Sequence, residues 1–231
     1  MGPLAFPVVQ IAGIRDEAEA GLLVECGVDW LGFPLRLPVH APDVSEGEAA
    51  RIIRGIPFPA RAVLITYLDD AGEIAAFARK LGVRIVQLHG DIGIAALERL
   101  KTIDPELSIV KSLVVGRSDV AGLEAGLRVL SPFADAFITD TFDPASGAWG
   151  ATGKTHDWEI SRRLVEVSPR PVILAGGLTP ENVAEAIRRV RPAGVDSHTG
   201  VEDASGRKSR DRVIRFVAKA RDAFGPASPG S

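Results

Sequence analysis

The sequence predicts an α/β fold, a single-domain (β/α)8 TIM barrel, and three observations carry that reading. Eight short apolar runs alternate strictly with eight helix-like stretches along the 231 residues. The repeat of about 25–30 residues is too short for two strands in a row, so the sheet is expected to be parallel with right-handed crossovers. The first run ends in Ala12-Gly13-Ile14-Arg15, not in the G-x-G-x-x-G turn of an open doubly wound sheet. Eight units of this kind close naturally into a barrel.

In chain order, a strand over 7–12 ends at Gly13, and a helix over 15–26 places Ala18, Leu22, Leu23 and Cys26 on one side. The second strand spans 28–33, with Trp30 expected in the outer layer between strand and helix. A Pro-rich loop over 34–44 leads to Ser45, an N-cap with Glu48 three residues later, the capping-box spacing. Strand 61–67, helix 72–81 and strand 84–88 follow, the last ending at His89-Gly90-Asp91 before a helix to about Thr102. Strand 108–115 carries Lys111, whose direction depends on a register that one residue would reverse. Helix 120–130 and strand 134–140 come next, then a long loop over 141–156 and a helix starting near Asp157. The seventh strand, 171–174, runs into Ala175-Gly176-Gly177. Thr179-Pro180 then reads as a hydroxyl N-cap with proline at the first helical position. Val183, Ile187 and Val190 form that helix's apolar face. Strand 193–196 ends in the turn His198-Thr199-Gly200. A last helix over 209–224 turns Val213, Ile214, Val217 and Ala220 inward. The barrel therefore occupies 1–224, and 225–231 (GPASPGS) reads as a flexible tail.

A hydrophobic share of 46% with 25% charged residues is ordinary for a globular protein. No apolar run approaches the ~18 residues of a membrane span, and MGPLAFPVVQ lacks the basic start of a secretory signal, so the chain is expected to be cytoplasmic. A net charge of −3 argues against a nucleic-acid partner. The single cysteine, Cys26, excludes an internal disulfide and is expected to be a small core residue.

In a barrel, chemistry sits on the loops that follow the strands. All four histidines fall there: His40 after the second strand, His89 after the fourth, His156 after the sixth and His198 after the eighth. A metal site built from them is set aside, because no H-x-H or H-x-x-x-H pair is present. The stretch GAWGATGKT over 147–155 ends like a phosphate loop, but the register needs glycine at 148, where Ala148 stands. A glycine-rich lid is the simpler reading. The small turns at Gly176-Gly177 and Thr199-Gly200 close neighbouring strands, the arrangement with which barrels of this kind hold phosphate.

Seven pieces in order carry a resemblance that covers nearly the whole chain: VQIAGI (9–14), GVDWLGF (27–33), VQLHGD (86–91), ITDT (138–141), TGKTHDW (152–158), LAGGLTPENVAEAI (174–187) and GVDSHTGVE (194–202). Together they resemble phosphoribosylanthranilate isomerase, the tryptophan-pathway barrel. Membership implies a cofactor-free Amadori rearrangement of a phosphorylated sugar. No metal, nucleic acid or membrane is expected as a partner, and the oligomeric state is left open as monomer or homodimer. By the resemblance Asp140 is the general acid and Asp196 the aspartate near the substrate amine. Gly176, Gly177, Thr199 and Gly200 hold phosphate. Gln87, His89 and His156, at the carboxyl ends of their strands, are further candidates to line the substrate.

The match fails at informative places. The family's strand 1 pattern K-I-C-G-I, whose cysteine is the general base, reads Gln10-Ile11-Ala12-Gly13-Ile14 here. The family's P-x-S-P-R after strand 2 becomes Pro34-Leu35-Arg36-Leu37-Pro38, so Arg36 would meet a substrate carboxylate only from a shifted position. The strand 8 turn S-S-G becomes His198-Thr199-Gly200, and His156 replaces a phenylalanine. The first reading is therefore a divergent barrel isomerase acting on another phosphosugar, with His198 or His40 as base. The alternatives are an authentic isomerase with a relocated base and a phosphosugar-binding pseudoenzyme. Leu35, Leu37 and Trp149 are candidates for an interface or for the pocket lining.

Overall fold

A computed structural model describes residues 4–38, 42–116, 119–143, 148–149 and 157–225. Among the described residues are nine strands: β1 (Val8–Ala12), β2 (Trp30–Pro34), β3 (Arg61–Thr66), β4 (Ile85–Leu88), β5 (Ser108–Val115), β6 (Ala136–Asp143), β7 (Ala148–Trp149), β8 (Val172–Leu174) and β9 (Gly194–Ser197). Eight of them pair in parallel in the cyclic order β1-β2-β3-β4-β5-β6-β8-β9, and β9 returns to β1. β7 lies outside this ring, antiparallel to the end of β6. The strands alternate with α1 (Glu17–Glu25), α2 (Glu46–Gly55), α3 (Ala71–Leu81), α4 (Ile94–Ile103), α5 (Val120–Leu130), α6 (Trp158–Val167), α7 (Val183–Val190) and α8 (Arg210–Phe224). This is the closed (β/α)8 barrel expected from the alternation.

Alternation along each strand divides the apolar residues into two layers. Val8 and Ala12, Trp30, Val63 and Ile65, Ile85, Val110, Ala136 and Ile138, and Ile173 share one cluster inside the barrel. Val9, Ile11, Leu31, Phe33, Leu64 and Val86 pack outward against helical Leu23, Ile53, Phe77, Leu97 and Phe216. Trp30 thus belongs to the interior and not to the outer layer. Its ring lies 6.0 Å from that of Phe6, where chain preceding β1 packs against the interior cluster. Lys111 follows the interior Val110 and leaves on the other face. There its ammonium donates to Leu88 O (3.2 Å) and Ser112 O (3.1 Å).

Helix starts follow from short polar side chains that accept an otherwise orphan N–H, each worth about 1 kcal/mol. Asp16 accepts from Glu19 N, Asp70 from Glu73 N, Asp119 from Gly122 N and Asp157 from Glu159 N. Ser45 accepts from Glu48 N at 3.2 Å, as its spacing predicted, but the Glu48 carboxylate pairs with Arg51. Three expectations shift. Thr179 does accept Glu181 N–H (3.2 Å), yet regular helix starts only at Val183, after Asn182. Ile214 is 47% exposed, and Phe216 takes the inward place on α8. Leu35 is fully buried in the outer core, so it lies neither at an interface nor on a pocket wall. Cys26 ends α1, half-buried against that core, and burial pushes its thiol pKa up. No described helix is long and apolar enough to cross a membrane.

Candidate active site

At the carboxyl ends of the strands, polar side chains replace the apolar filling. Gln10 sits in β1 between Val8 and Ala12 and is fully buried. Its Nε2 donates to Gln87 Oε1 of β4 at 2.9 Å. Gln87 Nε2 lies 2.7 Å from His89 Nε2, and His89 Nδ1 lies 2.8 Å from Asp140 Oδ2, in β6 three residues before its end. This chain has a direction. With its oxygen occupied by Gln10, Gln87 presents its NH2, which only donates. His89 Nε2 must then accept, so Nδ1 carries the hydrogen and donates it to Asp140. Three strands thereby fix the orientation of one carboxyl group. The Tyr67 ring lies 5.7 Å from His89, and burial together with the Asp140 charge pushes its phenol pKa up.

Asp196 completes the ring of polar groups. The β1–β9 register sets it opposite Gln10. Its Oδ1 and Gln10 Oε1 are both buried without a hydrogen-bond partner. Burial pushes the Asp196 carboxyl up to about 7. The Gln10 side chain, His89 and Lys208 pull it back down, and the Asp140 charge adds to the rise.

The two glycine turns after β8 and β9 lie against each other. Gly176 and Gly177 have φ of 104° and 61°, values that favour glycine. Asn182 pins this turn, accepting from Thr179 N (2.8 Å) and donating to Gly177 O (3.0 Å). Ser197 of β9 donates to Leu178 O at 2.8 Å. A Cβ at Gly200 would stand 1.9 Å from that same carbonyl, so only glycine allows the approach. Thr199 and Gly200 open a short 3₁₀ turn (Thr199–Val201), and Arg212 of α8 donates to Gly200 O at 2.8 Å. The predicted phosphate residues are therefore neighbours, and Arg212 places a cation behind them.

His198 sits over the residue that follows β1. Its ring covers Gly13, where a Cβ would meet Nε2 at 2.0 Å. Its Nε2 faces Glu202 (3.7 Å) and Asp43 (3.9 Å). Buried Lys208 supports this corner, donating to His198 O (3.0 Å) and Glu202 Oε1 (2.6 Å). Arg36, at φ 55°, pairs with Glu46 at 2.9 Å and lies 3.9 Å over the Phe77 ring. It also lines a 540 Å³ cavity with Leu37, Pro38, Tyr67, Leu68 and Gly90. His40 and His156 lie outside the described residues, as does the 147–155 stretch apart from β7.

Gln10, Tyr67 and Lys208 are the polar groups that sequence reasoning passed over. A glutamine inside an otherwise apolar strand was a readable signal for the first, since a buried amide needs partners. Nothing local marks Tyr67 or Lys208.

Comparison with known proteins agrees with this geometry. Residues 10–219 match the family model for N-(5'-phosphoribosyl)anthranilate (PRA) isomerase. The chain is 39% identical over 218 residues to N-(5'-phosphoribosyl)anthranilate isomerase 2 of Methanosarcina mazei, covering 94% of this chain and 95% of that protein. The crystal structure of phosphoribosyl anthranilate isomerase from Thermotoga maritima superposes with a TM-score of 0.78 at 30% identity, over 92% of this chain and 98% of that one. A phosphoribosyl anthranilate isomerase in complex with reduced 1-(o-carboxyphenylamino)-1-deoxyribulose 5-phosphate superposes with a TM-score of 0.76 at 28% identity, over 92% and 97%. The chain belongs to the N-(5'-phosphoribosyl)anthranilate isomerase family and is an intramolecular aldose–ketose isomerase.

Proposed function

We propose that this chain is an authentic N-(5'-phosphoribosyl)anthranilate isomerase, and not an isomerase of some other phosphosugar. The case for a changed substrate rests on the loss of the strand 1 cysteine and the altered second loop. Against a protein that binds without turnover stands one observation above the others: the directed chain Gln10–Gln87–His89–Asp140 remains whole. A protein that only held a phosphosugar would have no use for a carboxyl group oriented by three strands. Against a changed substrate stands the similarity to N-(5'-phosphoribosyl)anthranilate isomerases along nearly the full length of the chain.

In this mechanism the phosphate docks at Gly176, Gly177, Thr199 and Gly200, where the two turns meet and Arg212 adds positive potential. Asp140, held through Oδ2 by His89, gives a proton to the ring oxygen as the furanose opens. The 540 Å³ cavity, with Tyr67, Leu68 and Pro38 on its wall, takes the anthranilate ring. Arg36 is the cation nearest to hand for the carboxylate, and it would have to loosen its pair with Glu46 to serve.

Expression in a tryptophan auxotroph that lacks the isomerase tests the proposal. Growth without tryptophan, lost in Asp140→Asn, is the expected result. Failure of the expressed, folded wild-type protein to restore growth would return the changed-substrate reading to first place.

A further inference from the structure

Isomerisation also needs a group that removes the proton from C2 of the opened sugar, and β1 offers Ala12 where a thiol would do this work. We propose that Asp196 takes that proton in this chain, an assignment that rests on the isomerase reading above.

Position comes first. Asp196 is opposite Gln10 in the β1–β9 register. Ala12 lies two residues further along β1 on the same inward face, roughly 7 Å on. The missing base and the aspartate therefore occupy adjoining strands, two residues apart in register, at the barrel mouth.

Unmet bonding capacity comes second. Asp196 Oδ1 is buried without a partner beside an equally unpartnered Gln10 Oε1. Leaving such atoms unsatisfied costs about 1–3 kcal/mol each, and a catalytic role is one of the few reasons for which they persist. The shifted acidity of the group, about 7, also suits proton removal near neutrality.

Of the two histidines weighed as base, His40 lies outside the described residues, and His198 stands over Gly13 with Nε2 turned to Asp43 and Glu202.

The electrons balance within the substrate. Asp140 protonates the ring oxygen, the C1–O bond breaks, and the nitrogen lone pair forms C1=N. The Asp196 carboxylate removes the C2 hydrogen as a proton. The C–H electrons form C1=C2, and the C=N pair returns to nitrogen. The C2 hydroxyl then releases its proton to Asp140 as C2=O forms, and C1 takes the proton from Asp196. C1 is reduced, C2 is oxidised, and no outside oxidant or reductant is needed.

Steady-state kinetics on the full chain, followed by loss of substrate fluorescence, test this. The wild-type kcat/KM is expected to rise with pH through about 7. Asp196→Asn is expected to lower kcat by about 10²-fold or more, with KM within roughly threefold and the melting temperature not reduced. Adding Ala12→Cys to Asp196→Asn is expected to recover at least about tenfold in kcat, because the thiol restores a base on the adjoining strand. A role limited to binding the substrate amine would show no such rescue. The proposal is overturned if the wild type turns over while Asp196→Asn keeps more than about a tenth of kcat, loses only in KM, or is not rescued. A wild-type protein with no turnover overturns the isomerase reading itself, which is a separate result.

Discussion

His89 Nδ1 and Asp140 Oδ2 are 2.8 Å apart, although β4 and β6 are not neighbours and β5 runs between them. The bond spans the barrel mouth and exists because Gln87 holds the other ring nitrogen at 2.7 Å. Replacing His89 by Asn keeps polarity but removes the reach, so Asp140 loses its orientation. The expected outcome is a fall in kcat of about 10–100-fold with KM nearly unchanged. Gln87→Leu should do the same more weakly, through the tautomer. Steady-state kinetics with a melting curve for each variant check this.

Gly200→Ala should damage binding more than chemistry. The added methyl would stand 1.9 Å from Leu178 O and 2.8 Å from Ser197 Oγ, so the two turns must part. A stability loss of about 1–3 kcal/mol, the usual scale for overpacking, is expected with a KM rise of about tenfold or more. Inorganic phosphate should likewise inhibit the variant less than it inhibits the wild type.

Asp196 should make the protein less stable as pH rises. Its folded pKa, about 7, lies above the ordinary 3.8, so the folded state binds a proton that the unfolded state has released. Between those values the folded state holds more protons, and stability falls with increasing pH. Asp196→Asn removes this cost. Its stability is expected to exceed that of wild type at pH 8 by an amount on the order of 4 kcal/mol, read as a higher melting temperature, and to match it near pH 4. Melting curves at the two pH values decide, and equal curves at both would contradict the shifted acidity.

Lys208→Met should unsettle the turn after β9. The ammonium is buried and joins His198 O to Glu202, while burial pulls its own pKa down against the pull of Glu202. Removing it leaves Glu202 unpaired near His198 and disconnects the turn. A loss on the order of 3 kcal/mol is expected, visible in chemical denaturation as a lower midpoint with an unchanged slope.

The barrel was legible because strict alternation admits little else, and β5 and α5 fall where their apolar patterns put them. Asp140, His89 and the glycine turns were legible because strand ends are where a barrel keeps its chemistry. Periodicity fails where a residue's role depends on a distant strand. Trp30 reads as outer packing until the register turns it inside against Phe6. Lys111 changes faces with a shift of one residue. On α8, Ile214 and Phe216 exchange places because neighbouring α7 and α1 decide which stripe is covered. Thr179 begins a turn and not a helix because Asn182 satisfies its N–H first. The role of Gln10 could not be read locally, since its partners come from β4 and β9, 77 and 186 residues away.

Loss of fluorescence after purified protein is mixed with N-(5'-phosphoribosyl)anthranilate is the most direct test of all this. Turnover by the wild type, lowered about 10²–10⁴-fold in Asp140→Asn, is the expected result. A folded wild-type protein that leaves the fluorescence unchanged, or an Asp140→Asn variant as fast as wild type, would contradict it.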